Sequence, residues 1–282
     1  MRSSLDTLAS SRGAPRPAPH QALKLALDQA MTGLEVHIAR DPIRFPRRYL
    51  GSPRDVEIAA VFASQLAFGR VDLFGPVLER LFAEMDTVGG PTAWIQGCPT
   101  GARDEGDPLV YRWFTRRDFV ALGATLAAFP GGIAPLFTDL ESGVTALSER
   151  AGIGGGSFFR TWFCRPSQGS ACKRWCMFLR WMVRTDPPDL GAWRHLSPAD
   201  LIMPVDTHVL KIARLTGLTD RKTADWKTAL QITERLRAFA PEDPVRYDFA
   251  LAHLGISGGC TGAVSVACEG CALKPVCVVH RA

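Results

Sequence analysis

Four cysteines near the end of the chain are spaced as the ligands of a single metal centre. They follow the pattern Cys260-x7-Cys268-x2-Cys271-x5-Cys277 and lie within 18 residues. Thiolates are soft ligands that suit zinc or an iron–sulfur cluster. Structural zinc sites usually have two close cysteine pairs, whereas only one pair is close here, so the uneven spacing favours a cubane iron–sulfur cluster. The alternatives are four unrelated buried cysteines, or a redox pair made by Cys268 and Cys271.

Asp206 and Lys173 are two further residues whose types and positions could do chemistry. Asp206 lies in Val205-Asp-Thr-His208, where a loop turns into a predicted helix, and an aspartate there is typical of a helix N-cap. Lys173 follows Gly169 near the start of another predicted helix, and a surface lysine is the alternative to a nucleophile. A carboxylate stabilises positive charge that develops in a transition state, and an unprotonated amine is a nucleophile.

The charge pattern favours a polyanionic partner. The net charge is only +5, but residues 150–185 contain seven basic residues and no acidic one. These are Arg150, Arg160, Arg165, Lys173, Arg174, Arg180 and Arg184. Because a soluble surface normally mixes its signs, we expect a phosphate backbone to contact this segment. The alternative is a solvated basic face whose charges pair with acids elsewhere in the chain.

The composition argues against a membrane protein. No run of 18 uncharged apolar residues occurs, and no apolar segment follows Arg2 as it would in a signal peptide. We therefore expect a cytoplasmic protein, in which cysteines are metal ligands or thiols rather than disulfides. At 282 residues, of which 46% are hydrophobic, the chain can bury one large core or two smaller ones.

Helical periodicity dominates the pattern of apolar residues. Period-two alternation is nearly absent, so we predict an all-α protein. Predicted helices cover about 21–39, 52–68, 71–85, 117–129, 133–149, 171–184, 206–215, 223–239 and 243–255. Ser52 and Pro53 are predicted to be the N-cap and the first residue of the helix at 52–68. Residues 1–19 lack an apolar period and are predicted to be disordered.

The Val-Asp-Thr-His turn and the cysteine run, in this order, resemble the helix-hairpin-helix base-excision DNA glycosylases of the endonuclease III type. The chain looks closest to a bacterial branch of that superfamily. The similarity covers about residues 52–282, and its specific motifs lie in the last third. It implies a two-lobed all-α fold, with the active cleft between a helical barrel lobe at 52–184 and a second lobe made of 20–51 and 185–282. It also implies double-stranded DNA as the partner and a 4Fe–4S cluster on the four cysteines of 260–277, with zinc less favoured.

The resemblance also assigns roles to individual residues. Asp206 takes the place of the family's catalytic aspartate, and Lys173 takes the place of its catalytic lysine. Gln65 matches a glutamine that fills the gap left by an extruded base. The hairpin and nearby cations are expected to contact DNA phosphates through Gly169, Ser170, Arg174 and Arg180.

The hairpin departs from the family's pattern. The family reads Leu-Pro-Gly-x-Gly, whereas this chain reads Arg165-Pro-Ser-Gln-Gly169 and keeps one glycine of the two. The 33 positions from Lys173 to Asp206 also exceed the usual separation, which places an insertion at 186–204.

The implied function is base-excision repair by a DNA glycosylase with AP-lyase activity on a damaged base in duplex DNA. Phe68, Trp175 and Trp181 are candidate aromatic walls for the extruded base, with burial in the core as the alternative for each. One rival function is a non-catalytic DNA lesion- or structure-binding protein of the same fold. Another is a zinc-stabilised helical module that binds RNA. We expect a location in the cytoplasm, on the nucleoid, with no obligate protein partner.

The cofactor gives the first testable prediction. The purified protein is expected to be brown and to contain about four irons and four inorganic sulfides per chain, because four thiolates hold such a cluster. Visible absorption and metal analysis check this. A colourless protein with about one zinc per chain would contradict it and support the zinc alternative.

Overall fold

The computed structural model describes residues 20–33, 35–97, 107, 109–151, 161–256 and 259–281. The tail at 1–19, predicted to be disordered, lies outside them. Within the described residues the chain is helical, with no strand and only two isolated β-bridges, which confirms the all-α prediction. None of the helices in these ranges combines the length and apolarity needed to cross a bilayer.

The helices follow one another with short connections. In chain order they are α1 (His20–Ala30), α2 (Glu35–Ile38), α3 (Pro53–Leu66), α4 (Val71–Thr87), α5 (Pro91–Gln96), α6 (Arg116–Ala127), α7 (Leu140–Ala151), α8 (Lys173–Val183), α9 (Thr207–Thr216), α10 (Trp226–Arg237) and α11 (Asp248–Ile256). Turns of 3₁₀ helix lie between several of them, among them Pro42–Arg44, Pro46–Tyr49, Ala134–Leu136 and Pro166–Gln168.

Helix α3 is buried over most of its length. The Ser52 side chain caps it by accepting a hydrogen bond from the Asp55 amide, and Pro53 occupies its first position, as predicted. Every residue from Val56 to Leu66 is buried, which is typical of a helix surrounded by other elements. It contacts α4, α5 and α8, so it fixes the position of α8 from one side.

The packing divides the helices into two groups. The first group consists of α3 to α8, in which α6 contacts α5 and α7, and α7 contacts α8. In the second group, α1 and α9 pack against α11, and the turns at Lys274–Val276 and Val278–His280 contact α1 and α9 respectively. The turns at Pro42–Arg44 and Pro46–Tyr49 pack on α3. That part of the predicted second lobe therefore contacts the first group, and the lobe boundaries stay a prediction.

Three predicted helices have different bounds in the structure. The single helix predicted over 21–39 is wrong, because Gly33 has φ +71° and interrupts it between α1 and α2. The helix predicted over 133–149 is a 3₁₀ turn at Ala134–Leu136 followed by α7. The last helix begins at Asp248 rather than at 243. The short helix α5 is absent from the prediction, because six residues carry little periodic signal.

A buried ion network joins α8 to α11. Arg180 pairs with Asp189 at 3.0 Å and with Asp248, and the three side chains are at most 5% exposed. Arg184 pairs with Asp189 and, at 2.9 Å, with Asp243. Removing charges from water is costly, so groups this deeply buried persist only as mutual partners.

This network corrects the predicted DNA-binding role of Arg180. Its guanidinium is enclosed by carboxylates and is not offered to a phosphate in this structure. Arg184, which was predicted on the same basic face, is buried in the same way. Arg180 and Arg184 therefore follow the alternative, in which basic residues of 150–185 pair with acidic residues elsewhere in the chain. The sequence did not show this, because helical periodicity predicts the face on which a residue lies but not the residues that it contacts.

Substitution of Arg180 by alanine is expected to lower the free energy of unfolding by about 3–5 kcal/mol, because Asp189 and Asp248 lose a buried counter-charge. Urea unfolding followed by circular dichroism measures the change. Arg70→Ala is the control, since its pair with Asp72 is exposed and should leave the unfolding midpoint unchanged. Equal midpoints for the Arg180 variant and the wild type would contradict a structural role for the network.

Candidate active site

Lys173 is the first residue of α8 and is delivered there by a tight turn. The 3₁₀ turn Pro166–Gln168 ends at Gly169, whose φ of +76° is left-handed and suits glycine. Cys172, the N-cap of α8, is also left-handed with φ +49°, which costs a non-glycine residue roughly 1–2 kcal/mol. The Ser170 hydroxyl stabilises this turn by accepting a hydrogen bond from the Cys172 amide at 3.1 Å. The turn therefore places the amine of Lys173 at the helix start.

Asp206 is the N-cap of α9, as predicted. Its Oδ1 accepts hydrogen bonds from the amides of His208 at 2.9 Å and Val209 at 3.0 Å. Its other oxygen, Oδ2, lies 3.9 Å from the Nζ of Lys173. One carboxylate therefore both caps the helix and faces the lysine, because the two roles use different oxygens.

The start of α9 is held tightly against the end of α11. The His208 Nδ1 lies 2.9 Å from the Gly255 carbonyl oxygen. A Cβ added at Gly255 would lie 2.8 Å from the Cβ of His208, so only glycine permits this approach. His208 thus has a structural role beside Asp206.

The lysine and aspartate form a site that a substrate can reach. Their side chains are 27% and 28% exposed, respectively. The Nζ of Lys173 also donates to the Ala67 carbonyl oxygen at 3.3 Å, just after α3 ends. Three segments therefore converge at the pair: the C-terminal end of α3 and the N-terminal ends of α8 and α9.

A buried charge lies behind the pair. Burial raises the pKa of the Asp248 carboxyl, while the charge of Arg180 and, to a smaller extent, that of Lys173 lowers it. The negative charge of Asp206 raises the pKa of the Asp248 carboxyl. The ion network is thus within electrostatic range of both site residues.

Arg174 and Gln65 are internal rather than exposed to a ligand. Arg174 donates to the Gln65 carbonyl oxygen at 2.8 Å and to the Thr161 carbonyl oxygen, and burial lowers the pKa of its guanidinium. The Gln65 side chain is fully buried, and its Oε1 has no hydrogen-bond partner among the residues that the structure describes. The predicted roles of Arg174 in phosphate binding and of Gln65 in filling a DNA gap are not possible in this conformation.

The hairpin residues occupy the surface next to Lys173. Gly169 is exposed, but its amide already donates to the Pro166 carbonyl oxygen at 2.8 Å. Its own carbonyl oxygen accepts from the Trp226 amide at 3.3 Å, and half-buried Ser170 forms a bridge with Asp225. The hairpin is therefore fixed against the start of α10, and its predicted phosphate contact stays a prediction.

The four cysteines line a single cavity of about 40 Å³. Apolar side chains from α9 and α11, including Ile212, Leu215 and Leu254, form part of its wall. His280 also lines it, and the His280 Nε2 is a buried nitrogen that finds no hydrogen-bond partner in the described part of the chain. A shared cavity with an orphaned polar atom and a four-thiol donor set fits a group held by thiolates.

The thiols themselves are not arranged around a single ion. Within the described residues no group of three or more histidine, cysteine or acidic side chains is placed to hold a metal ion, and all four cysteines are free thiols. Burial raises the pKa of the Cys277 thiol, and the other three thiols add to this effect because they lie nearby. The cluster and its zinc alternative both stay predictions.

Sequence reasoning missed the aromatic residue that is most accessible near the site. Trp175 and Trp181, two of the candidate walls, are fully buried core residues. Phe68 is half-buried and is stacked on Trp113, which is 41% exposed. Trp113 lies in a segment without helical periodicity, and no sequence signal connects it to Lys173.

The fold and site together define an all-α protein in which a lysine–aspartate pair lies between the starts of two helices, with a four-cysteine cavity in the C-terminal loop. Residues 41–257 match the family model described as "Protein of unknown function (DUF2400)", and the chain belongs to that family. The match includes the pair and ends before the first of the four cysteines. No curated protein and no solved structure matches the chain.

The double role of Asp206 predicts that two substitutions will differ in stability. Asp206→Ala is expected to lower the free energy of unfolding by about 1 kcal/mol, because the amides of His208 and Val209 lose their acceptor. Asp206→Asn keeps an acceptor oxygen and should stay within about 0.5 kcal/mol of the wild type. Urea unfolding of both variants measures the difference. An alanine variant as stable as the asparagine variant would show that the cap contributes nothing.

Proposed function

We propose that this protein is a DNA glycosylase with AP-lyase activity, which removes a damaged base from duplex DNA. The observation that carries the proposal is the approach of the Lys173 amine to 3.9 Å from the Asp206 carboxylate. These residues are 33 positions apart in the chain, and each lies at the start of its helix. A nucleophile beside a carboxylate, both partly exposed, is the arrangement that this chemistry needs.

Asp206 stabilises the sugar while the bond to the base breaks. Cleavage of the N-glycosidic bond builds positive charge on C1′ and O4′, and a nearby carboxylate lowers the energy of that state. The Oδ2 atom is free of the helix amides, which engage Oδ1, and can face the sugar. Because the cap holds the carboxylate in place, little reorganisation is needed during the reaction.

Lys173 supplies the nucleophile in its unprotonated form. Its Nζ bonds to C1′ and loses one proton, while the base leaves with the electrons of the glycosidic bond and takes up a proton. The C1′–O4′ bond then breaks, O4′ is protonated, and the nitrogen lone pair forms an iminium with C1′. Loss of a 2′ proton expels the 3′ phosphate with the electrons of its C–O bond. Water finally hydrolyses the imine and regenerates the amine.

DNA contact in this proposal comes from the surface around the pair. Arg180 and Arg174 are internal, so the backbone of the Gly169–Ser170 hairpin and the exposed Arg112 remain as candidates for contacts to phosphates. The net charge of +5 adds a sequence-independent attraction. We also propose a cytoplasmic, nucleoid-associated location on the same grounds.

The cysteine loop has a structural role in the proposal. A bound 4Fe–4S cluster would supply four iron–thiolate bonds that close residues 260–277 against α9 and α11. The Lys211 side chain already donates to the Cys260 carbonyl oxygen, which ties α9 to the first cysteine. The loop thereby supports the helix that carries Asp206.

Borohydride trapping on duplex DNA with one abasic site tests the proposed chemistry. Borohydride delivers hydride to C1′ of the iminium and converts it to a stable amine, so wild-type protein is expected to give a covalent adduct, seen as a shifted band on a denaturing gel. Lys173→Ala should give none, because the nitrogen that forms the bond is missing. On a second duplex, which carries a damaged base, Asp206→Asn should slow base removal by a factor on the order of 100 while the fold is kept.

The matched control is Lys222→Ala, which removes an exposed lysine that is not part of the pair and should trap like the wild type. Wild-type protein that binds the duplex without forming any adduct would remove Lys173 as the nucleophile. Base release from the second duplex without an adduct on the abasic one would then leave a hydrolytic glycosylase on Asp206. Binding with neither adduct nor base release would support the non-catalytic DNA-binding alternative.

A further inference from the structure

A two-residue hairpin presents Arg112 and Trp113 to solvent. Tyr111 and Phe114 exchange backbone hydrogen bonds of 2.9 Å in both directions, and both side chains are buried. The two residues between them form the exposed tip. Arg112 has φ +57°, a left-handed conformation that glycine or asparagine usually supplies in such turns. Strain of this kind, roughly 1–3 kcal/mol, persists where the surrounding structure imposes it, often at a functional site.

The tip continues an aromatic stack. The Trp113 ring lies 5.8 Å from the Phe68 ring with an interplanar angle of 29°. The Arg112 guanidinium lies 5.2 Å from the Phe68 centroid and 5.9 Å from the Trp113 centroid. Arg174 contributes a second cation 5.2 Å from the centroid of Phe68. The result is a flat aromatic surface flanked by positive charge, and its outermost ring is exposed.

This surface is joined to the lysine–aspartate pair by direct contacts. The Tyr111 hydroxyl donates to the Phe68 carbonyl oxygen and fixes the hairpin to the segment that follows α3. The preceding residue, Ala67, accepts a hydrogen bond from Lys173. Arg174, which contacts the Phe68 ring, is the next residue after Lys173. The aromatic surface is therefore connected to Lys173 through the Ala67–Phe68 segment and through Arg174.

A nucleobase is the ligand that these features fit. A single exposed apolar residue needs no explanation, but a tryptophan backed by a parallel ring and flanked by arginines offers stacking and cation–π attraction together. Every base has a π-face, so such a surface holds a base without reading its edge. Phosphate oxygens next to the base would meet Arg112.

We propose that Trp113, supported by Phe68 and Arg112, is the platform on which the nucleobase beside the lysine–aspartate pair stacks. This inference rests on the proposed function, since it names the residue that holds the base while Lys173 and Asp206 act on its sugar. The platform accounts for the exposure of Trp113 and for the left-handed backbone of Arg112. Tyr111 and Phe114, which are buried on either side of the tip, hold Arg112 and Trp113 in place.

Binding to two matched duplexes tests the platform. One carries 2-aminopurine opposite a tetrahydrofuran abasic analogue, so that the base is unpaired and costs little to extrude. In the other, tetrahydrofuran replaces the 2-aminopurine. Fluorescence anisotropy gives each Kd. Trp113→Ala is expected to weaken binding of the 2-aminopurine duplex by about 5- to 100-fold, the range for loss of one base–aromatic stack, and to leave the second duplex within about twofold.

Two further variants make the result specific. Trp113→Phe keeps a stacking ring and should retain most of the affinity for 2-aminopurine, whereas Val88→Ala removes an exposed apolar side chain elsewhere and should change neither Kd.

Equal losses on both duplexes, or no loss on either, would overturn the platform. Wild-type protein that traps on abasic DNA while Trp113→Ala binds like the wild type would overturn the platform and leave the proposed function standing. Wild-type protein that binds neither duplex would overturn both.

Discussion

The buried ion network of Arg180 fixes the position of nearly every element at the site. Arg180 belongs to α8, seven residues after Lys173, and one of its partners, Asp248, opens α11. Helix α11 packs closely on α9 through Gly255 and His208. The chain of contacts from α8 through α11 to α9 sets the separation between the starts of α8 and α9. A shift of one of these helices would leave buried charges without partners, so the arrangement resists change.

Within that frame, the site uses groups that also have local structural roles. Asp206 caps α9 with one oxygen and faces Lys173 with the other. Lys173 is the residue at which α8 begins, and the strained Cys172 before it is buried and held by the Ser170 hydroxyl. Since caps and turns have fixed geometry, they position reactive groups more firmly than a long flexible loop would. The same residue can therefore cap a helix and also take part in catalysis.

The cysteine loop, residues 260–277, lies against helices that also position the site. Its cavity is bounded by α9 and α11, the two helices that carry Asp206 and Asp248. The family match over 41–257 contains the lysine–aspartate pair and the ion network but stops before Cys260. Helix α9 thus connects the pair with the cysteines, because Asp206 caps its start and Ile212 and Leu215, further along the helix, line the cavity. Closure of the loop would stabilise α9 and α11, and the network holds α11 against α8.

The sequence by itself determined the helical class, the caps at Ser52 and Asp206, and the residues of the pair. It could do so because periodicity, capping and short motifs depend on neighbours within a few positions. Only the tertiary structure decided which charges are internal, since Arg180 and Arg184 differ from surface arginines by the carboxylates that α11 and the preceding loops bring to them. It also decided that Gln65 is enclosed and that Trp113 lies beside Phe68, because contacts between residues more than 40 positions apart leave no periodic trace in one chain.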